Sequence, residues 1–133
     1  LAQTVAPGEV IGIDVSEEDI QRAQALAAEK GVSNVRFRVG DAYAIPFPEG
    51  YFDAVFCHNV LEHLNEPVKA LEEMRRVLRP RGVAGVRDVD HGGFLHSPDD
   101  ASLARFFELF VANWRAGGRG SPFMGRHLKG LML

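Results

Sequence analysis

Residues 9–14 read EVIGID, a short, β-branched and almost wholly apolar run that stops at an acid, Asp14. A strand of a parallel sheet covered on both faces has this composition. Directly after it, Ser16 can cap a helix with Asp19 as capping-box partner three residues on. Ile20, Ala23, Leu26 and Ala27 then form a helical apolar stripe, closed by Lys30 and Gly31. Val35, Phe37 and Val39 alternate with Arg36 and Arg38, which predicts a half-exposed strand near a sheet edge, ending at Gly40 and Asp41. The unit is therefore strand, crossover helix, strand.

The same grammar continues downstream. AYAIPFPEGY at 42–51 has two prolines and a glycine and reads as a surface loop, and FDAVFC at 52–57 as a buried strand. Pro67 suits the first position of a helix whose apolar residues Val68, Leu71, Met74, Val77 and Leu78 repeat until Pro80 and Gly82 stop it. Val83–Val89 follows as a fourth strand and 92–98 as a loop. Asp99 or Asp100 then starts a helix carrying Leu103, Phe106, Phe107, Phe110, Val111 and Trp114, and a last helix spans about 125–133. Alternating strands and helices predict an α/β domain with a mostly parallel sheet, in which ligands bind at the carboxyl ends of the strands.

The 133 residues suit one domain. A single cysteine, Cys57, excludes an internal disulfide and fits a reducing cytoplasm. No apolar run is long enough for a membrane span. Residues 1–66 carry a net charge of −7 and residues 67–133 one of +4. Helix solvation accounts for this division. The arginines of the second half are not interleaved with aromatic residues, so no nucleic-acid partner is expected. His58, Glu62 and His63 lie close in sequence beside Cys57 but lack the i, i+4 spacing of a chelating pair, and no metal is expected.

Three strand ends carry polar residues. Asp14 can accept hydrogen bonds from both hydroxyls of a ribose. Asp41 can accept from an exocyclic amine such as that of adenine, with Gly40 letting backbone close to the ring, Ala42 leaving room, and Val15 and Ile45 offering apolar contact. The plainer reading of both acids is that of turn formers and helix caps.

Taken together, GEVIGIDVS at 8–16, VGDAYAIPFPEGYFDAVFCHNVLEHL at 39–64 and EEMRRVLRPRG at 72–82 resemble the class I S-adenosylmethionine-dependent methyltransferases, and within them the ubiquinone and menaquinone biosynthesis group. The resemblance implies a Rossmann-like, mostly parallel sheet with helices on both faces, incomplete at both ends, so that residues 1–133 form a single partial methyltransferase domain. It implies S-adenosyl-L-methionine as cofactor, with Asp14 as ribose ligand and Asp41 and Ala42 as adenine ligands. His58, Asn59 and Val60 would line the methionine side, and Val15 and Gly40 complete the cofactor set. The family's first strand and glycine-rich turn have no counterpart here, which leaves a gap in the centre of the expected sheet. Arg81 stands where the family's Arg-Pro-Gly-Gly turn has its first glycine.

The expected reaction is methyl transfer to a small-molecule acceptor, without a covalent intermediate. A general base is needed only where the acceptor carries a proton; its candidates are Asp88, Asp90 and His91, just after the fourth strand, and His63, with Asp90 and His91 put forward as the catalytic pair. Core packing is the plainer reading of the Phe106, Phe107, Phe110 and Trp114 stripe. A lid over an apolar or aromatic acceptor is the functional one. Two other classes compete: a nicotinamide-dependent oxidoreductase, which uses the same acid after the same strand, and a noncatalytic methyltransferase-like fragment acting through association.

Overall fold

The computed structural model describes residues 1–133 apart from Leu95, His96, Asp99, Arg119 and Leu133. The chain divides into two compact units, residues 1–47 and 48–133. Among the described residues no helix is long and apolar enough to cross a membrane.

The first unit contains α1 (Ala2–Val5), β1 (Val10–Asp14), α2 (Glu17–Glu29) and β2 (Val35–Val39). β1 and β2 pair in parallel, with Val10 opposite Val35 and Asp14 opposite Val39. Gly12 belongs to this pairing because the Phe37 ring fills its missing side-chain position; a Cβ there would lie 2.8 Å from the ring. Ser16 caps α2, its hydroxyl accepting the Asp19 N–H at 3.2 Å. The reciprocal half of the expected capping box is absent: the Ser16 N–H goes to Asp14 Oδ1 at 2.8 Å. At the other end Gly31 takes φ +62°. Its N–H and that of Val32 close onto the carbonyls of Ala28 and Ala27, the paired bonds of a Schellman motif. Ile20 and Ile45 are the buried apolar residues here.

The second unit contains β3 (Phe52–His58), a 3-10 turn (Leu61–His63), α3 (Pro67–Val77), β4 (Leu78–Arg87), a second 3-10 turn (His91–Gly93), α4 (Ala101–Ala116) and α5 (Met124–Leu131). β3 and β4 are also parallel. Their core is Leu61, Ala70, Met74, Val77 and Met124, with Leu61 and Val77 fully enclosed. α5 approaches β4 through Gly125, whose N–H donates to the Val89 carbonyl at 3.0 Å. A Cβ on Gly125 would sit 2.8 Å from the Asp88 carbonyl oxygen.

Several expectations need correction. The four strands form two separate two-stranded sheets, so among the described residues neither β1 nor β3 has a second strand partner, as the implied gap requires. β1 is half-buried and not fully covered. β3 alternates in exposure, and Phe56 is 56% exposed. β4 starts at Leu78, not Val83, because Phe52 pairs with Leu78 before the register jumps to Ala54 opposite Val83. The slack of that jump is taken up around Arg81, whose φ is +67°. β4 also stops at Arg87, before Val89. Asp100 caps α4, its carboxylate accepting the N–H groups of Ser102 and Leu103 at 2.7 and 3.2 Å; the alternative cap, Asp99, lies outside the described residues, as do Leu95 and His96 of the 92–98 loop. No described residue of α4 is fully buried. The last helix runs Met124–Leu131, one residue earlier at its start than expected, and Leu133 lies outside the described residues.

A non-glycine residue held in left-handed backbone loses roughly 1–2 kcal/mol. Arg81→Gly is therefore expected to raise stability by about 1 kcal/mol, read as a higher urea midpoint at unchanged slope. An unchanged or lower midpoint contradicts the strain assigned to this turn.

Candidate functional site

In the first unit the site is the carboxyl edge of the β1–β2 pair. The register continues one step past the strands, where the Gly40 N–H donates to the Asp14 carbonyl at 2.9 Å. Asp14, Gly40 and Asp41 therefore stand on one edge. Both acids are exposed and both form turns: Asp14 Oδ1 accepts the Ser16 N–H and Asp41 Oδ1 the Tyr43 N–H, each at 2.8 Å. Each carboxylate has about four acceptor positions, and the turn occupies one. Val15 is 70% exposed beside Asp14 and open to a ring. Ile45 is only 7% exposed and packs inward, so it offers no ring contact at the surface. Gly40 is also closely packed within the unit: Pro46 lies 3.0 Å from where its Cβ would be.

In the second unit the ends of β3 and β4 carry the polar residues. Exposed His58 and Asn59 close β3, with half-buried Val60 after them; the Asn59 N–H donates to the Arg87 carbonyl at 2.9 Å, and Asn59 takes φ +53°. Asp88 is structural. Its two carboxylate oxygens accept the N–H groups of Leu61 and Glu62 at 3.3 and 3.1 Å, fixing the first 3-10 turn against the end of β4. Asp90 is held by Arg126 in a bidentate pair, both contacts 2.8 Å, and also accepts the Gly92 N–H. The Arg126 guanidinium above all, and the Gly92 N–H with it, keep the Asp90 carboxyl below its ordinary range, so it is a poor proton acceptor near neutrality.

His91 lies differently. It lines a cavity of about 510 Å³ together with Phe94, Phe107, Val111 and Phe123, with Glu108 and Arg115 among the polar residues of the wall. The aromatic stripe of α4 thus divides its work. Phe107 faces this cavity, while Phe110 and Trp114 pack on the His91 ring at 4.9 and 5.7 Å between centroids. Phe106, 57% exposed, packs edge-on against Phe107.

One residue that the sequence reading placed only in a rejected metal set is prominent in the structure: Glu62, a carboxylate buried to 5% side-chain exposure between the imidazoles of His63 and His91. The available signal was a lone acid inside the apolar run Val60, Leu61 and Leu64. Cys57 is half-buried, and its thiol is pushed up to about 11, first by burial and then by the charge of Asp88.

Residues 1–86 match the methyltransferase domain family, and the chain belongs to that family. It is 39% identical over 98 residues to YcgJ, an uncharacterised methyltransferase of Bacillus subtilis, with 74% of this chain and 36% of YcgJ aligned. To the demethylmenaquinone methyltransferase of Lactococcus lactis it is 32% identical over 127 residues, covering 95% of this chain and 46% of that one. The crystal structure of an S-adenosylmethionine-dependent methyltransferase from Aquifex aeolicus superposes on 74% of this chain and 52% of its own, with TM-score 0.64 and 28% identity. The chain thus spans from about a third to about half of the length of these relatives. The fold is the Rossmann-like α/β fold of this family, and S-adenosylmethionine is the cofactor that the matches indicate. Nothing in them favours a nicotinamide cofactor.

The thiol geometry sets an expectation for Cys57. Because only the thiolate reacts, a midpoint near 11 in place of 9.0 leaves about 100-fold less thiolate at pH 8. Alkylation by iodoacetamide at pH 8 is expected to be slower by about that factor in the native chain than in the urea-unfolded one. The native rate should climb steeply towards pH 11. Equal rates at pH 8 would contradict the burial.

Proposed function

We propose that this chain supplies the adenosine-binding edge and the acceptor side of an S-adenosylmethionine-dependent methyltransferase whose acceptor is a small apolar or aromatic molecule. The observation that supports the reading is the shared carboxyl edge of β1 and β2, where Asp14 lies opposite Val39 and the Gly40 N–H donates to the Asp14 carbonyl, so that both exposed acids follow from the same edge. In this proposal Asp14 receives the ribose hydroxyls, Asp41 and Ala42 the adenine, with Val15 against the ring and Gly40 between the two acids. His58, Asn59 and Val60 serve the methionine side. One unpaired thiol fits a reducing compartment, and the proposal places the protein in the cytoplasm.

When bound, the cofactor supplies an electrophilic methyl group on a sulfonium centre and departs as a neutral thioether. What the protein's own residues must do is orient the partners and exclude water. The apolar and aromatic wall of the second unit's cavity is suited to a flat acceptor, and Glu108 and Arg115 give it polar contacts for orientation. Asp90, neutralised by Arg126, is assigned to holding α5 and not to proton transfer. His91 is the remaining acceptor-side candidate.

Titration calorimetry with S-adenosylhomocysteine tests this, on this chain and on a version extended upstream of Leu1. Hydrogen bonds to a charged group contribute about 1.5–3 kcal/mol, so Asp14→Ala is expected to weaken binding by about 10- to 100-fold. Asp41→Ala should weaken it less and reduce discrimination for adenine. Unaltered affinity in both variants, or stronger binding of NADH than of S-adenosylhomocysteine, would overturn the assignment.

A further inference from the structure

Among the described residues, two buried side-chain polar atoms lack a hydrogen-bond partner, Glu62 Oε2, which faces His91 Nε2, and Trp114 Nε1, whose ring packs on the His91 ring. An orphaned buried carboxylate oxygen carries a desolvation penalty that folding alone does not recover, so its presence calls for a use. The backbone of Glu62 is pinned from both sides. Its N–H is bound by Asp88 at 3.1 Å and its carbonyl by the Ser121 N–H at 2.9 Å. Gly120 has no room for a Cβ, which would run into that carbonyl oxygen. This frame fixes the main chain from which the carboxylate is presented to His91.

Glu62 Oε2 lies 3.4 Å from His91 Nε2, within ion-pair reach but off hydrogen-bond alignment. Such contacts tighten when a ligand is bound. The His91 ring is braced by Phe110 and Trp114 and by stacking on Phe94 at 5.7 Å, and its own N–H in the main chain is tied to the Pro122 carbonyl at 2.9 Å. A carboxylate at Nε2 selects the imidazole tautomer with the proton on that nitrogen and the lone pair on Nδ1, and it stabilises the imidazolium formed when Nδ1 takes a proton. His63 is the competing partner, with Nε2 3.6 Å from Glu62 Oε1, but its side chain is 48% exposed, stacked on Trp114, and it does not border the cavity.

We propose that Glu62 is a positioning residue that orients His91 as the proton acceptor of the cavity, and that the methyl acceptor is therefore a hydroxyl on an aromatic or apolar ring. The inference rests on the methyltransferase reading and deepens it. The acceptor's O–H bond breaks and an N–H bond forms at His91 Nδ1; the electron pair left on oxygen makes the new bond to the methyl carbon as that carbon's bond to the sulfonium sulfur breaks, its pair staying on the departing neutral thioether, and the imidazolium later returns its proton to solvent. Among the described residues, the other titratable and charged groups around this pair are His63 on the same turn, Asp88 bound to the backbone of that turn, the Asp90–Arg126 pair, and Glu108 and Arg115 in the cavity wall.

The test is nitrogen NMR of the histidine rings across pH, in the wild-type chain and in Glu62→Gln, joined to a titration with 4-nitrophenol, whose phenolate is coloured. In the wild type, neutral His91 is expected to carry its proton on Nε2, a measurement that needs no variant. In Glu62→Gln that preference for the Nε2 proton should weaken, while the ring-nitrogen signals of His58 and His127 stay as in the wild type. Bound 4-nitrophenol should ionise at a lower pH than the free phenol, and His91→Gln should abolish that shift while the phenol still binds. A His91 with its proton on Nδ1, or one whose tautomer ignores Glu62→Gln, overturns the dyad whatever S-adenosylhomocysteine does. Loss of S-adenosylhomocysteine binding with the His91 signature intact would instead count against the transferase reading.

Discussion

Two strands paired in parallel must end on the same edge, and this constraint places the polar residues of both units. In the first, the register of β1 against β2 delivers Asp14 and the Gly40–Asp41 turn together. In the second, β3 ends in His58 and Asn59 while β4 ends in the Asp88 to His91 segment. Antiparallel pairing would have sent each second set of residues to the far end of its strand. The helices follow from the same constraint, since a parallel connection has to cross back over the sheet. α2 and α3 are those crossovers, each carrying an apolar stripe that the sheet buries in part.

The second unit adds a device that strand order alone does not supply. Asp88 leaves β4 and caps the backbone of a turn 26 residues earlier, which locks Leu61 into the core and Glu62 beside it. Burying Leu61 fully is favourable by roughly 1.5–3 kcal/mol. Burying the neighbouring carboxylate acts the other way, because it surrenders hydration for imidazole contacts that are not yet hydrogen bonds. The apolar neighbour thus compels a burial that would not occur on its own, and the Ser121 and Gly120 contacts from the far side hold the turn in place.

What was legible in the sequence was local. Ser16, Gly31, Pro67 and Asp100 mark helix ends by their own backbone and side-chain chemistry, and the structure uses each of them at a helix end. Where the reading failed, the determinant was distant. Pro80 and Gly82 read as stops, yet the pairing of Phe52 with Leu78 extends β4 upstream of them and absorbs the excess chain at Arg81. Phe52–Cys57 reads as a covered strand from composition, but exposure depends on which elements lie over it, and Phe56 is left open. The site divides likewise. The strand-end acids stood out by position, whereas the importance of Glu62 depends on Asp88, His91 and Ser121, none of which is near it in sequence.

The four acids at or just past the strand ends differ in the acceptor capacity that the fold leaves them. Asp88 commits both oxygens to main-chain N–H groups, and Asp90 commits both to Arg126 and one again to Gly92. Asp14 and Asp41 each accept one N–H, through one oxygen, from the residue two positions on. The turn-forming and ligand-binding readings of these two acids are therefore not rivals. A single hydrogen bond to its own turn fixes the direction of a carboxylate and removes the rotamer freedom that a ligand would otherwise have to quench, while most of its lone pairs stay available. By the same argument an acid with no turn to form would be a weaker ligand for a ribose, and an acid with both oxygens already engaged keeps less capacity for one.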